Sequence, residues 1–137
     1  MNDQADLVRM VRQWTERAEN DLTNAEHTLT MGEDCPYDTV CFHAQQCVEK
    51  YIKALLIYRS VDFPKMHDIG ELIKLLPSHL RPPMAVVDQE RLTDYAIEAR
   101  YPGDWEPITR AEAEGMVALA RQVRRAIRSQ LPGEATG

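Results

Sequence analysis

The sequence predicts an all-α fold, an up-and-down helical bundle of four long helices plus one short helix, and three observations lead to that prediction. Apolar residues recur at three- and four-residue steps over most of the chain, which is typical of helices that bury one face. No segment alternates apolar and polar residues for long enough to indicate a strand. The turn-forming segments GEDCP, PSHLRPP and YPGDWEP separate the periodic stretches, so neighbouring helices are expected to run antiparallel.

The first predicted helix runs from Asp3 to about Met31 and buries one stripe of its surface. The stripe consists of Leu7, Val11, Trp14, Ala18, Leu22, Ala25 and Leu29. Asp21 lies beside this stripe, and a carboxylate there needs a partner because desolvating an unpaired charge is costly. The candidate partners are Arg100, Lys53 and Tyr95. Both a structural buried pair and a functional site are compatible with this position.

The second predicted helix, residues 37 to 59, has one apolar and one polar side. At about 100° per residue, the apolar arc gathers Val40, Cys41, Ala44, Val48, Tyr51, Ile52, Leu55 and Leu56. The opposite arc holds His43, Gln46, Glu49, Lys50 and Lys53, together with the apolar Phe42 and Ile57. Apolar side chains within a charged face are one feature of partner-binding surfaces. The alternative is a solvated face on which Gln45, Glu49 and Lys53 form an i, i+4 ladder.

Two capping boxes mark the starts of later helices. Asp68 with Glu71 opens a short helix, and Thr109 with Glu112 opens the last long one. The expected helices cover residues 69–76, 84 to about 99 and 110–131. Pro132 and the glycine after it then release an exposed, flexible segment. The chain is therefore expected to form a single domain over residues 1–131 with a C-terminal tail at 132–137.

Composition and charge exclude several classes of protein. The formal charge of -6 provides no broad positive field to attract nucleic acid, so any RNA contact has to be local. The three cysteines form no CxxC pair and are odd in number, which favours a reducing, cytoplasmic location. No secretion signal or membrane span is recognisable. No spacing indicates a metal site, a P-loop, a dinucleotide fold or a serine nucleophile, so no membrane, metal or cofactor is expected.

The densest group of positive charges lies in the last helix. It consists of Arg121, Arg124, Arg125 and Arg128. These side chains could contact phosphate. The ordinary interpretation is that cations near a helix C-terminus offset the helix dipole, by a few tenths of a kcal/mol each.

Four segments together resemble the HEPN domain family. They are WTERAENDLTNAE, FHAQQCVEKYIKALLIYR, HDIGELIKLL and LTDYAIEARYPGD, in this order, and the resemblance covers about residues 10 to 130. It implies a helical bundle that commonly dimerises, that handles nucleotides or RNA, and that is often encoded beside an MNT-type nucleotidyltransferase in toxin–antitoxin pairs.

Many members of this family are metal-independent ribonucleases whose motif is an Arg, four to six intervening residues, and a His. This sequence departs from the motif, because its nearest match, Arg59 to His67, has seven intervening residues. Cleavage needs a base near the ribose 2′-hydroxyl and a cation near the phosphate, whatever their spacing. His43 or His67 could act as the base and Arg59 or Arg100 could provide the cation. A lone exposed histidine is more often an ordinary surface residue without such a role.

The function expected from the resemblance is nucleotide or RNA binding together with a nucleotidyltransferase-type partner. Lys50 and Lys53 would hold phosphate, while Gln46 and Glu49 would meet polar groups. Arg100 would be a second cation, and the remaining candidate ligand-binding residues are Asp21 and Tyr95. The alternatives are a ribonuclease toxin with displaced catalytic residues and a non-catalytic dimerisation scaffold whose polar arc is buried against a second copy.

Overall fold

The computed structural model describes residues 3–96 and 107–136, and all regular elements in these two segments are helical. The elements are α1 (Asp3–Leu29), α2 (Tyr37–Tyr58), α3 (Ile69–Lys74), a 3₁₀ turn (Ser78–Leu80), α4 (Val86–Tyr95), α5 (Arg110–Arg128) and the short α6 (Gly133–Thr136). The predicted all-α bundle with four long helices is confirmed. The predicted end of the fourth helix near Ala99 lies outside the described residues.

The central helix is α2, which contacts α1, α3, α4 and α5. Because neighbours cover it on several sides, burial extends beyond its apolar arc to Gln45, Glu49 and Lys53. The core-facing residues of α1, α2 and α5 include Val11, Ala18, Leu22, Ala25, Val40, Ala44, Val48, Tyr51, Ile52, Leu55, Met116, Ala120, Val123 and Ile127. Most of the stripe expected on α1 is therefore buried, with Trp14 and Leu29 partly buried at its edge.

Both predicted helix starts carry the side-chain cap that the sequence indicated. Asp68 accepts a hydrogen bond from the backbone N–H of Glu71, and Thr109 accepts one from that of Glu112. The two glutamate side chains have other partners. Glu71 accepts from Lys74, and Glu112 accepts from the hydroxyl of Tyr95. The Tyr95–Glu112 bond joins α4 to the first turn of α5.

Arg110 closes the C-terminal end of α1. Its guanidinium donates to the carbonyl oxygens of Leu29 at 3.2 Å and Met31 at 2.9 Å, and to the hydroxyl of Tyr37. The last carbonyls of a helix have no partner within the helix. Arg110, at the start of α5, therefore satisfies the carbonyl of Leu29 and also that of Met31 beyond the helix, and it holds the two helices together.

The segment after Leu131 does not extend as an exposed tail, which corrects the expectation from Pro132 and the glycine that follows. It turns back as α6, and Ala135 is completely buried. The hydroxyl of Thr15 donates to the carbonyl of Ala135 at 2.8 Å, and Arg128 donates to that of Thr136 at 2.7 Å. Pro132 and Gly133 end α5, but they do not prevent a new helical turn. Burial of Ala135 and the hydrogen bonds to the carbonyls of Ala135 and Thr136 hold this turn against the bundle.

None of the helices in the described segments combines the length and apolar character required to span a lipid bilayer.

Candidate functional site on the polar face of α2

The polar face of α2 is defined here as His43, Gln45, Gln46, Glu49, Lys50 and Lys53. It lies between α1 and the segment 61–68 that leads into α3, because its side chains bond to both. The face therefore does not project into open water. Its polar groups are organised into two clusters, one around Glu49 and one around Asp21.

The first cluster is a buried network within α2. Gln45, Glu49 and Lys53 are 0%, 3% and 5% exposed. Gln45 Nε2 donates to Glu49 Oε1 at 2.8 Å, and Lys53 Nζ donates to Glu49 Oε2 at 3.0 Å. Gln46 Nε2 donates to Gln45 Oε1 at 2.7 Å, which connects the network to the half-buried rim. The expected solvated ladder is thus buried, and each of these groups has a partner, as burial requires.

Residues from outside α2 cover this network. The ammonium of Lys53 lies 5.7 Å from the ring centre of Trp14 and 5.6 Å from that of Phe63, and the two rings meet edge to face. His67 Nδ1 lies 3.0 Å from both carboxylate oxygens of Glu49. The side chain of His67 is 66% exposed, so this histidine connects a buried carboxylate to solvent.

The second cluster confirms that Asp21 has a cationic partner, but the partner is not one of the candidates. Asp21 accepts from Lys50 at 2.5 Å and lies 2.8 Å from His43 Nδ1. Of the three partners that the sequence suggested for Asp21, two bond to other residues and the third lies outside the described residues. Lys53 bonds to Glu49, Tyr95 bonds to Glu112, and Arg100 lies outside the described residues.

The position of α1 explains why Asp21 pairs with Lys50 and not with Lys53. His43 and Lys50 are seven residues apart and lie on one stripe of α2, which faces α1. Lys53 is rotated by about 60° from Lys50 around the helix axis. It therefore points towards Phe63 and not towards Asp21.

Both histidines bind a carboxylate through Nδ1, and for both the structure shows no partner of Nε2 within the described segments. A carboxylate at Nδ1 favours the tautomer whose Nε2 accepts a proton. Glu49, which holds His67, is six residues after His43 on α2, a rise of about 9 Å. This arrangement can perform acid–base chemistry if both Nε2 atoms reach one substrate.

Arg59 is not brought close to either histidine. It caps the C-terminal end of α2, ten residues beyond Glu49, which corresponds to about 15 Å along the helix axis. It lines a separate groove of 290 Å³ with Gln4, Leu7, Tyr58 and Ser60. The Arg59–His67 pairing that most resembled the ribonuclease motif is therefore not formed in this structure.

Phe42, Gln46 and Ile57 form the half-exposed edge of the polar face. Phe42 contacts the ring of His43 edge to face at 5.4 Å between ring centres. Gln46 lies one turn further along α2, on the same side as Phe42. Phe42 and Gln46 thus place an apolar ring and an amide one turn apart at this edge, while Ile57 lies further along α2 and packs against the core.

The arginines of α5 form structural ion pairs with α1. Arg124 and Arg128 donate to the same oxygen of Glu19 at 2.5 Å and 3.0 Å, and Arg121 donates to Glu26 at 3.0 Å. The hydroxyl of Tyr51 also donates to Glu19. These arginines do more than offset the helix dipole, because three of them cross-link two helices. Arg125 is exposed.

Partial burial acts to raise the pKa of Glu19, but the hydrogen bonds and charges supplied by Tyr51 and the two arginines outweigh it. The pKa of this carboxyl therefore lies below its usual value of 4.5. Burial and then the bond to Glu19 raise the pKa of Tyr51, so its hydroxyl stays protonated.

The cysteines do not form a reactive site. Cys35, Cys41 and Cys47 are free thiols and are buried. Burial raises the pKa of Cys47, and the charges of Glu19 and Asp21 raise it further, so the thiolate is disfavoured. Within residues 3–96 and 107–136, no group of three or more His, Cys, Asp or Glu side chains is placed to hold a metal ion.

Comparison with known proteins agrees with this architecture. The model of the HEPN domain matches residues 11–130. The crystal structure of TT1696 from Thermus thermophilus is 30% identical, with a TM-score of 0.73 over 88% of this chain and 98% of that one. The crystal structure of ST0689, described as an archaeal HEPN homologue, is 25% identical, with a TM-score of 0.67 over 88% of this chain and 96% of that one. No curated protein matches.

The family match spans most of the described fold, including α1 from Val11 onwards, the polar face of α2 and α5. The chain belongs to the HEPN domain family.

Proposed function

We propose that this HEPN-domain protein binds nucleotide or RNA on the polar face of α2. The observation that carries this proposal is the preorganised network of Gln45, Glu49 and Lys53, whose groups are satisfied before any ligand arrives. Polar groups held in fixed positions and bordered by aromatic rings are typical of ligand sites. Trp14 and Phe63 provide such rings beside Lys53.

The proposed ligand-binding residues have two kinds of role. Gln46 and Lys50 are partly exposed and would meet the ligand, with the buried Lys53 behind them. Asp21 and Glu49 hold the two lysines in place through their ion pairs.

Two further residues, Arg100 and Tyr95, were also proposed from the sequence to bind the ligand. Arg100 remains a proposed second cation. The case for Tyr95 is weaker, because its hydroxyl is bonded to Glu112.

The biological setting that we propose is a toxin–antitoxin-like pair in the reducing cytoplasm. The chain would act as a homodimer with an MNT-type nucleotidyltransferase. This part rests on membership of the HEPN family. The pairing predicts an MNT-type nucleotidyltransferase gene beside this one, and co-expression of the two proteins tests it. Co-elution as one complex is expected, and separate elution would contradict it.

Binding at the polar face is tested with short RNA and a matched pair of glutamine variants. Gln46→Ala removes an amide from the proposed site, whereas Gln122→Ala removes an exposed amide from α5. We expect Gln46→Ala to weaken binding by about tenfold, the loss of one good hydrogen-bonding contact, with Gln122→Ala unchanged. Equal affinities for both variants, or no binding by the wild type, would contradict the proposal.

A second candidate function is metal-independent RNA cleavage, and the two carboxylate-bound histidines favour it. One Nε2 would take the proton of the ribose 2′-hydroxyl, whose oxygen attacks phosphorus. The bond from phosphorus to the 5′-oxygen breaks, and the other histidine protonates that leaving oxygen. The products are a 2′,3′-cyclic phosphate and a 5′-hydroxyl. Lys50 would lie near the phosphate.

Cleavage is tested by incubating RNA with the protein in EDTA. The wild type should cleave with a bell-shaped pH profile, and His43→Gln and His67→Gln should each lower the rate by about a hundredfold or more. Equal RNA loss in the wild type and the double variant excludes this candidate. A dimerisation scaffold without ligand is the remaining alternative, and a light-scattering mass equal to one chain excludes it.

A further inference from the structure

The lysines of the polar face are already compensated by carboxylates. Lys50 lies 2.5 Å from Asp21, and Lys53 lies 3.0 Å from Glu49. A phosphate that approached either ammonium would also approach the paired carboxylate. Because attraction and repulsion fall off in the same way with distance, they largely cancel for such a ligand. Phosphate binding to these lysines would require the existing ion pairs to open.

The accessible part of this face carries groups suited to a different part of a nucleotide. Phe42 is partly exposed at the edge of this face, where its aromatic ring meets that of His43 edge to face. Gln46, one turn away, gives one N–H to Gln45 and keeps its other N–H and its oxygen for a ligand. An amide with a donor and an acceptor side by side matches the edge of a base, and an aromatic ring stacks on its face.

We infer that the polar face of α2 recognises an unstacked nucleobase, which stacks on Phe42 and bonds to the amide of Gln46, while phosphate contributes little. This inference rests on the proposed function and specifies which part of the ligand is read. Trp14 and Phe63 lie beside Lys53, eleven residues after Phe42, or about 16 Å along α2. Both rings are partly buried against the core and cover the Glu49 network, so they border the face and do not provide a second stacking surface.

One cation beside the face is not compensated. Arg17 is exposed on α1, between Trp14 and Asp21 on the same side of the helix, and no ion pair is found for it within the described segments. It would supply a single phosphate contact. The affinity for single-stranded RNA should then fall with salt at a log–log slope of about −0.7, against about −2 if Lys50 and Lys53 also contacted phosphate.

The test uses two ligands with equal numbers of phosphates, an octameric oligoadenylate and an abasic octamer of the same ribose-phosphate backbone. We expect the oligoadenylate to bind at least about tenfold more tightly, because stacking on aromatic side chains contributes substantially for each base. Phe42→Ala should weaken oligoadenylate binding at least about fivefold, and Phe42→Leu should do the same while preserving apolar packing. Gln122→Ala, at an exposed position of α5 outside the proposed site, should leave the affinity within about twofold.

Three outcomes would overturn the inference, and they differ in their consequences for the proposed function. Equal binding of both octamers with a slope near −2 rejects base recognition but leaves nucleotide or RNA binding intact. No binding of either octamer rejects the inference and the proposed function together. If Phe42→Leu converts a dimer into a monomer without changing the affinity, the face is a contact between subunits.

Discussion

Two of the clusters of charged side chains that contact α1, those around Glu19 and Glu49, differ in what they hold together. The cluster around Glu19 joins three helices, since Arg124 and Arg128 come from α5 and Tyr51 comes from α2. The network around Glu49 is built mainly from one helix, because Gln45 and Lys53 both belong to α2. The Glu19 cluster thus links helices of the bundle. Most hydrogen bonds of the Glu49 network, in contrast, join residues of α2 that the helix backbone already holds close together.

This difference indicates which polar cluster requires a functional explanation. Burying an ion pair seldom stabilises a fold more than apolar residues of the same size would. The Glu19 cluster is partly exposed and links helices, so its structural role in joining them is enough to explain its presence. The Glu49 network is deeply buried and links few elements, so its retention is better explained by a ligand or partner at its rim.

The largest effect is expected when the Glu49 network is broken. Glu49→Ala leaves the ammonium of Lys53 buried without its carboxylate, which should lower the free energy of unfolding by about 3–5 kcal/mol. Urea denaturation measures this loss. The double variant Glu49→Leu/Lys53→Met removes both charges and should cost at most about 1 kcal/mol. A loss below about 1 kcal/mol for Glu49→Ala alone would mean that Lys53 reaches water.

A smaller loss is expected from the Glu19 cluster. Glu19→Ala removes the acceptor of Tyr51 and of two arginines that remain partly in water, so we expect a loss of about 1–3 kcal/mol. The control is Glu26→Ala, which breaks only the exposed pair with Arg121 and should cost about 0–0.5 kcal/mol. Equal losses in thermal unfolding for both variants would contradict the assigned role of Glu19.

The same cluster predicts how stability depends on pH. The pKa of Glu19 is lowered in the folded state, so its contribution is present above the usual value of 4.5 and is lost as the pH falls through the folded pKa. The stability difference between the wild type and Glu19→Gln should therefore be full at neutral pH and shrink in acid. Urea unfolding at both pH values measures it. A difference that grew on acidification would show that the sign is wrong.

The smallest effect concerns the attachment of α6. Thr15→Val removes the hydrogen bond to the carbonyl of Ala135 and should cost about 0.5–1.5 kcal/mol. Faster hydrogen exchange at residues 133–136 should accompany it. Thr23→Val, at an exposed position of α1, is the matched control and should change neither quantity. Unchanged exchange in Thr15→Val would mean that apolar burial alone holds this turn.

The helices could be predicted from the sequence because period and caps are local signals. Asp68 and Thr109 cap α3 and α5 as their spacing indicated. The four-residue α6 could not be predicted, because so short a segment shows no periodicity and depends on Thr15 and Arg128 far along the chain.

The candidate site was predicted in part. The need of Asp21 for a cation followed from its place beside a buried stripe, but the sequence does not show which side of α2 meets α1. Burial of Glu49 and Lys53 depends on Phe63 and His67, which lie in a segment without regular structure. The ion pairs between α1 and α5, in contrast, could have been recognised from the sequence. Glutamates seven residues apart on α1 face arginines seven residues apart on α5.

The central claim is that the polar face of α2, and not the arginine-rich face of α5, binds the ligand. Amide chemical shifts of the ¹⁵N-labelled protein, recorded while single-stranded RNA is added, test it directly. The shifts of residues 42–53 should change with saturation, and those of residues 118–128 should stay in place. Changes concentrated on α5, or none at all at either helix, would contradict the account.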